Sequence, residues 1–160
     1  MTAALADPFI TFGWYEKNYT AAECIEHYQY VYRLVGYYAD RGVIIAIDLD
    51  GMGSNCQYPM SIDIVGNIVA AIIAAEQGVK SVIPWSNMYG YIAQDVAWAR
   101  LTRRLIRGYL DKFGYRDTAV PGVFLAQVPL FPYPQDMGMS FGFLNYSEWW
   151  QHYQKQKESI

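Results

Sequence analysis

The hydrophobic positions change period along the chain, and each change marks an element. Phe9-Ile10-Thr11-Phe12 is a short strand-like run closed by Gly13. From Tyr19 to Arg41 the period lengthens. Cys24, Tyr28, Val31, Val35 and Tyr38 recur at three-to-four spacing and predict one apolar stripe on a helix. Thr20, with Glu23 three residues on, predicts a capping box at its start. Gly42, after Arg41, predicts its end. Val43–Ile47 is a largely β-branched run without alternation, which predicts a strand buried on both faces. After a loop, Asp48–Pro59, a second helix capped by Ser61 or Asp63 runs to about Gln77 and stops at Gly78. It is apolar almost all round and is expected to be covered. Ser81-Val82-Ile83 predicts a third strand, followed by a loop beginning Trp85-Ser86-Asn87-Met88. Tyr91–Phe113 predicts a third helix, with Ile92, Val96, Ala99, Ile106, Tyr109 and Phe113 on one face. Arg100, Arg103, Arg104 and Arg107 lie on its other face, and Gly114 ends it. Val120–Val128 predicts a fourth strand, the stretch Pro129 to Pro134 follows, and Tyr146–Lys157 predicts a last helix.

The order β-α-β-α-β-α-β-α implies an α/β fold with a parallel sheet and right-handed crossovers. Four such βα units fit a small open doubly wound sheet or half of an eight-unit barrel, which normally needs about 250 residues. A half (β/α)8, or TIM-type, barrel has two open sheet edges and must pair with a second copy or another chain. The domain reading is a partial barrel over 1–145, with an aromatic helix, 146–160, packed on it.

Composition narrows the function classes. Of 160 residues, 53% are hydrophobic and 17% charged, with a net charge of −3, so a nucleic-acid binder held by phosphate contacts is not expected. The aromatic content is high, with 15 Tyr, 7 Phe and 5 Trp, more than so small a chain can hide. An aromatic-lined cleft or partner surface is expected. Two cysteines, Cys24 and Cys56, make neither a disulfide framework nor a metal site. Met1-Thr2-Ala3-Ala4 lacks a basic leader, which reads as cytoplasmic. No apolar run approaches the ~20 residues of a membrane span. The longest, Ile62–Ala75, is broken by Asp63, Gly66 and Asn67.

In either architecture ligands sit at the carboxyl ends of the strands. This selects loops holding Tyr15, Asp48, Asp50, Asn55, Gln57, Tyr58, Trp85, Asn87, Tyr89, Gln127, Tyr133 and Asp136. Such carboxylates, amides and aromatics suit a small polar ligand. Ile44–Gly51, an apolar strand ending Asp48-Leu49-Asp50-Gly51, resembles the first motif of haloacid-dehalogenase-type phosphatases. There the first Asp attacks phosphorus, the second moves a proton, and Mg²⁺ neutralises phosphate. The downstream lysine and acidic pair of that family have no clear counterpart, and the plainer reading is two loop acids after a buried strand. His27 and His152 lie inside predicted helices without metal-ligand spacing, so no metal site is expected. Cys56 reads as a free thiol. The four arginines read as a solvated helix face, a contact with an acidic partner, or an anion site.

Several segments together resemble the epsilon subunit of glutamate mutase (methylaspartate mutase). They are Arg33-Leu34-Val35-Gly36-Tyr37-Tyr38, Arg41-Gly42-Val43, Ala74-Ala75-Glu76-Gln77-Gly78-Val79-Lys80, Gly90 with Gln94-Asp95, Tyr109-Leu110 with Phe113-Gly114-Tyr115, and Phe131-Pro132 with Gln135-Asp136. They keep the family order from about Phe9 to Gly142. The resemblance implies the middle of an adenosylcobalamin-dependent (β/α)8 barrel that interconverts L-glutamate and threo-3-methylaspartate. It also implies a cobalamin-binding sigma-type subunit and the missing part of the barrel as partners, with a stand-alone homodimer as the alternative. Tyr15 falls at a family tyrosine that contacts substrate, and Phe12 stands where a second family tyrosine is expected. Asp48 and Asp50 are the further substrate-binding candidates, and Asn87, Gln94, Asp95 and Gln127 the cofactor-binding ones. The family's carboxylate-clamping arginines lie mostly upstream of the matching region, and no Asp-x-His-x-x-Gly cobalamin string is present. The chain is therefore not expected to be a complete mutase alone.

Overall fold

A computed structural model of the chain describes residues 2–6, 18–50, 59–87, 91–126 and 135–142. The described elements are β1 (Thr2–Ala6), α1 (Ala21–Ala39), β2 (Ala46–Asp50), α2 (Met60–Glu76), β3 (Val82–Asn87), α3 (Ile92–Lys112) and β4 (Phe124–Ala126). The strands form one parallel sheet in the order β1-β2-β3-β4. Strand order equals chain order, so no topological switch point occurs among the described strands. Right-handed crossovers in such an order put all helices on one face. Accordingly α1 packs on α2, and α2 on α3.

Each helix begins and ends for local reasons. Thr20 caps α1: its hydroxyl accepts from the Glu23 N–H at 3.3 Å, and the Glu23 carboxylate accepts from the Thr20 N–H at 2.7 Å. This is the expected capping box. The helices end alike: glycines 42, 78 and 114 adopt φ of 84°, 91° and 90°. The left-handed turn carries the next N–H back onto the last helical turn, as from Val79 to the Ala74 carbonyl at 3.2 Å. The expected side-chain cap of α2 is corrected. Pro59 holds the cap position with no side-chain bond, and Asp63 lies in the first turn, buried.

The helix layer covers one face of the sheet. Ile47 and Leu49 of β2 and Val82 of β3 are almost fully buried against it. A seam of small residues, Ala70, Ala71, Ala74 and Ala75, lets α2 lie close to the strands. Tyr32 and Val35 of α1, and Trp98, Ala99, Ile106 and Leu110 of α3, complete the core. Asp48, Ile83 and Trp85 alternate with these residues, point to the other face and are only half-buried. The expectation of a strand covered on both faces is thus corrected. So are its bounds, because β2 starts at Ala46, while Val43 and Ile44 are 52% and 62% exposed on the approach from α1.

Other stripe positions also shift. Tyr32, not Tyr38, is the buried tyrosine of α1, and Tyr109 and Phe113 of α3 are exposed. On α2, Ile62 and Val65 are exposed, so its cover is incomplete. The segment Trp85-Ser86-Asn87 belongs to β3 rather than to a loop. The strand expected at Phe9–Phe12 and the helix expected at Tyr146–Lys157 lie outside the described residues. Among the described residues no helix is long and apolar enough to cross a membrane.

The tightest joint between helices is at Gly36. A Cβ built there would sit 2.3 Å from the Gln77 carbonyl oxygen and 3.1 Å from Gly78 Cα. Gly36→Ala is expected to lower stability by about 1–3 kcal/mol through this backbone overlap. Gly108→Ala, at a helical site with nothing within 4 Å of the added Cβ, is expected to raise it by about 0.5–1 kcal/mol. Urea unfolding of the two variants checks both signs.

Candidate functional site

The described helices lie on one side of the parallel sheet, and the second face carries the candidate groups. Register defines the rows on that face. Ala4, Asp48 and Ile83 stand side by side, and one rung towards the carboxyl ends stand Ala6, Asp50, Trp85 and Phe124. Asn87 and Ala126 form the last rung. Successive rungs on one face are about 7 Å apart, and neighbouring strands about 4.8 Å. The two aspartates of β2 therefore mark adjacent rungs of one face. They belong to the strand, which corrects their reading as loop acids.

Asp48 is the distinctive group of this face. Its Oδ1 is buried and has no hydrogen-bond partner. Burial alone pushes its carboxyl up from the usual range to about 6. Such a group is mostly ionised at neutral pH and gains a proton just below it. It is a natural partner for an ammonium or a hydroxyl that shares its desolvated position.

The wall beside it is fixed by a residue that composition and periodicity do not single out as functional. Asn67 of α2 is fully buried. Its Nδ2 donates to the Trp85 carbonyl at 3.1 Å, and its Oδ1 accepts from the Trp85 N–H at 3.2 Å. The same Nδ2 donates to the Asp63 carbonyl at 3.0 Å. One carboxamide thus holds both polar groups of one peptide residue in β3 and ties them to the first turn of α2. The sequence signal was the break that Asp63, Gly66 and Asn67 make in an apolar helix.

The other expected site residues separate. Gln94, in the first turn of α3, is exposed, and its Nε2 lies 3.0 Å from Met60 Sδ. Asp95 beside it is 2% exposed, turned into the fold where α3 begins after β3. Asn87 ends β3 on the same face as Asp48 by register. Phe12, Tyr15 and Gln127 lie outside the described residues. Among the described residues no group of three or more His, Cys, Asp or Glu side chains could hold a metal ion. His27 instead packs edge-on against Tyr19, ring centroids 5.0 Å apart, and Cys24 is buried.

Residues 2–160 match the family model described as methylaspartate mutase E chain (MutE). The chain is 35% identical over 135 residues to a glutamate mutase epsilon subunit from Treponema denticola, covering 82% of this chain and 27% of that one. A protein of the same name from Desulfitobacterium hafniense is 33% identical over 132 residues, with coverage of 82% and 27%. One from Haloarcula marismortui is 40% identical over 96 residues, covering 60% and 20%. The chain spans about a quarter of the length of the curated relatives it matches.

Two outcomes are expected from the site geometry. Asn67→Ala removes the two bonds between the carboxamide and Trp85 and is expected to cost about 2–4 kcal/mol in urea unfolding. Because the folded pKa of Asp48 lies above its unfolded value, its contribution favours folding at low pH. That contribution is lost as pH rises from about 4 through about 6. Asp48→Asn is therefore expected to stabilise the chain at pH 7 by about 1 kcal/mol, allowing for its partial exposure. The gain is expected to vanish near pH 4, as read from unfolding curves at the two pH values.

Proposed function

Because the chain belongs to the methylaspartate mutase E chain family, we propose that it forms four consecutive βα units of a (β/α)8 barrel in a glutamate mutase-type enzyme. The observation that carries this reading is a parallel sheet in sequential order whose described helices all lie on one face. A doubly wound sheet has helices on both faces, whereas a barrel turns one face inward and keeps helices outside. On this reading the Asp48 and Asp50 rungs line the barrel interior, and the carboxyl ends of the strands hold the ligands.

The substrate is proposed to be L-glutamate, rearranged to threo-3-methylaspartate. Asp48 suits its ammonium group: the carboxyl oxygen is desolvated and its hydrogen-bonding capacity is unused. Asp50, one rung nearer the carboxyl ends by register, is the second substrate candidate. The family resemblance assigns Tyr15 and Phe12 to the substrate as well. When bound, adenosylcobalamin supplies the radical that starts the rearrangement. The described residues fit only part of its rim. Gln94 offers an exposed amide, and Asn87 stands at the strand ends. Asp95 is too deeply buried for direct contact, so its role is to favour the start of α3, where a carboxylate meets the positive helix end. Gln127 is proposed from the resemblance alone. A cobalamin-binding sigma-type subunit and the remaining part of the barrel are the proposed partners.

In this scheme the chain's own residues orient and enclose. The Asn67 clamp holds the Trp85 rung, Ile83 stands beside Asp48 and helps keep water from it, and Asp48 fixes the amino end of the substrate. Holding a substrate in register and excluding water are what a radical reaction most requires of the protein. The family match leaves the Mg²⁺-phosphatase reading of Asp48 and Asp50 without support.

The test is reconstitution. The chain is combined with the remaining epsilon-type barrel, a sigma-type subunit and adenosylcobalamin, and threo-3-methylaspartate is measured from L-glutamate. Product is expected only from the complete mixture, and Asp48→Asn is expected to lower kcat/KM about tenfold to a hundredfold. A native mass of two copies of this chain with nothing else bound, together with no turnover in the mixture, would overturn the proposal in favour of a stand-alone homodimer.

A further inference from the structure

The far end of the molecule carries a second feature that the barrel reading does not use. Arg100, Arg103, Arg104 and Arg107 of α3 line a groove of about 570 Å³ with Ala119, Val120 and Pro121. The groove lies towards the amino ends of the strands, because Ala119 bridges to Ser81 just before β3 and the 119–121 segment leads into β4. It is thus separate from the Asp48 and Asp50 rungs.

Two of the four guanidinium groups are fastened to the backbone. Arg103 Nε donates to the Val120 carbonyl at 3.0 Å. Arg107 donates to the Thr118 carbonyl, and to the Tyr115 carbonyl at 2.8 Å. Arg107 also pairs with the Asp111 carboxylate at 2.9 Å. These bonds tie the 115–120 connection to α3 and hold two planar forks at the groove wall. Arg100 and Arg104 are exposed and make no hydrogen bond or ion pair among the described residues. The i, i+4 pairs Arg100–Arg104 and Arg103–Arg107 set like charges together, an arrangement that weakens a helix. The only acids of α3 are Asp95, buried in its first turn, and Asp111, already paired. The charges of Arg100 and Arg104 thus have no ion-pair partner among the described residues, in a chain whose net charge is −3.

We propose that this groove is a binding site for a small oligophosphate, a ligand of the di- or triphosphate class. Its volume falls in the usual range of small-molecule sites. Guanidinium forks match phosphate oxygens two at a time, and two of these four are already oriented before a ligand arrives. The stripe from Arg100 to Arg107 extends about 10 Å along the helix, enough for two or three linked phosphates but not for one alone to satisfy. Among the described residues the floor of Ala119, Val120 and Pro121 offers no aromatic ring or polar side chain to read a base, so recognition is of the charged chain rather than of a nucleoside. The inference stands apart from the mutase reading.

The experiment is calorimetric titration of the full 160-residue chain with inorganic tripolyphosphate at low and at physiological salt. Saturable one-to-one binding that weakens with salt is expected. The double variant Arg100→Gln with Arg104→Gln is expected to lose at least about tenfold in affinity, with circular dichroism and thermal midpoint unchanged. A single Arg104→Lys variant, which keeps the charge but not the fork, is expected to fall between. Equal binding by the wild type and the double variant would overturn the proposal, as would absence of saturable heat at millimolar tripolyphosphate. Tighter binding of hexaglutamate than of tripolyphosphate would overturn it too, and would make the groove a docking surface for an acidic protein segment.

Discussion

The packing of all the described helices on one side of the sheet is the constraint on which the rest of the structure depends. Burial of Ile47, Leu49 and Val82 requires a helix layer, and the sequential strand order allows that layer on a single face. Close contact then requires small residues on the helix that spans the middle strands, which is where Ala70, Ala71, Ala74 and Ala75 lie. The same closeness brings Asn67 within reach of a strand peptide, and it brings the ends of α1 and α2 into backbone contact at Gly36 and Gln77. Packing on one face thus sets the positions of the groups on the other.

The middle of the sheet and its amino-end margin carry opposite charges. The Asp48 carboxylate is desolvated, and the arginine groove at the amino ends is open and preset by backbone carbonyls. The physics differs accordingly. At Asp48 the dominant effect is burial, which weakens the charged form and sharpens its response to a partner that restores the lost solvation. At Arg100 and Arg104 the dominant effect is like charge held in a fixed frame, which salt screens and a multivalent anion relieves.

What was legible in the sequence was mostly local. The Thr20 and Glu23 cap and the glycine stops depend on a few neighbouring residues, and the structure has them as read. Features set by distant contacts were harder. Val43 and Ile44 look like strand residues, yet they lie on the route from the end of α1 back to the sheet, so pairing starts at Ala46. On α1 the buried face is turned by the Gly36 contact, which selects Tyr32 and leaves Tyr38 half in solvent. Asp48 and Asp50 could be named as candidate acids from the strand-end rule. Their common face and the burial of Asp48 depend on β1 and β3 arriving beside them, which spacing in the sequence does not encode. Asn67 stood out only as a polar interruption, because its partner, the Trp85 peptide, is eighteen residues away.

That carboxamide also sets how the molecule opens. Lifting the end of β3 would strand a fully buried amide inside α2, and unwinding the first half of α2 would strip Trp85 of its two bonds to Asn67. Neither can fray by itself, so the two belong to one cooperative unit in slow fluctuations of the native state. The strand segment at Trp85 is therefore as durable as the helix behind it, and amide exchange at Trp85 reports the opening of α2 rather than the breathing of a strand tip.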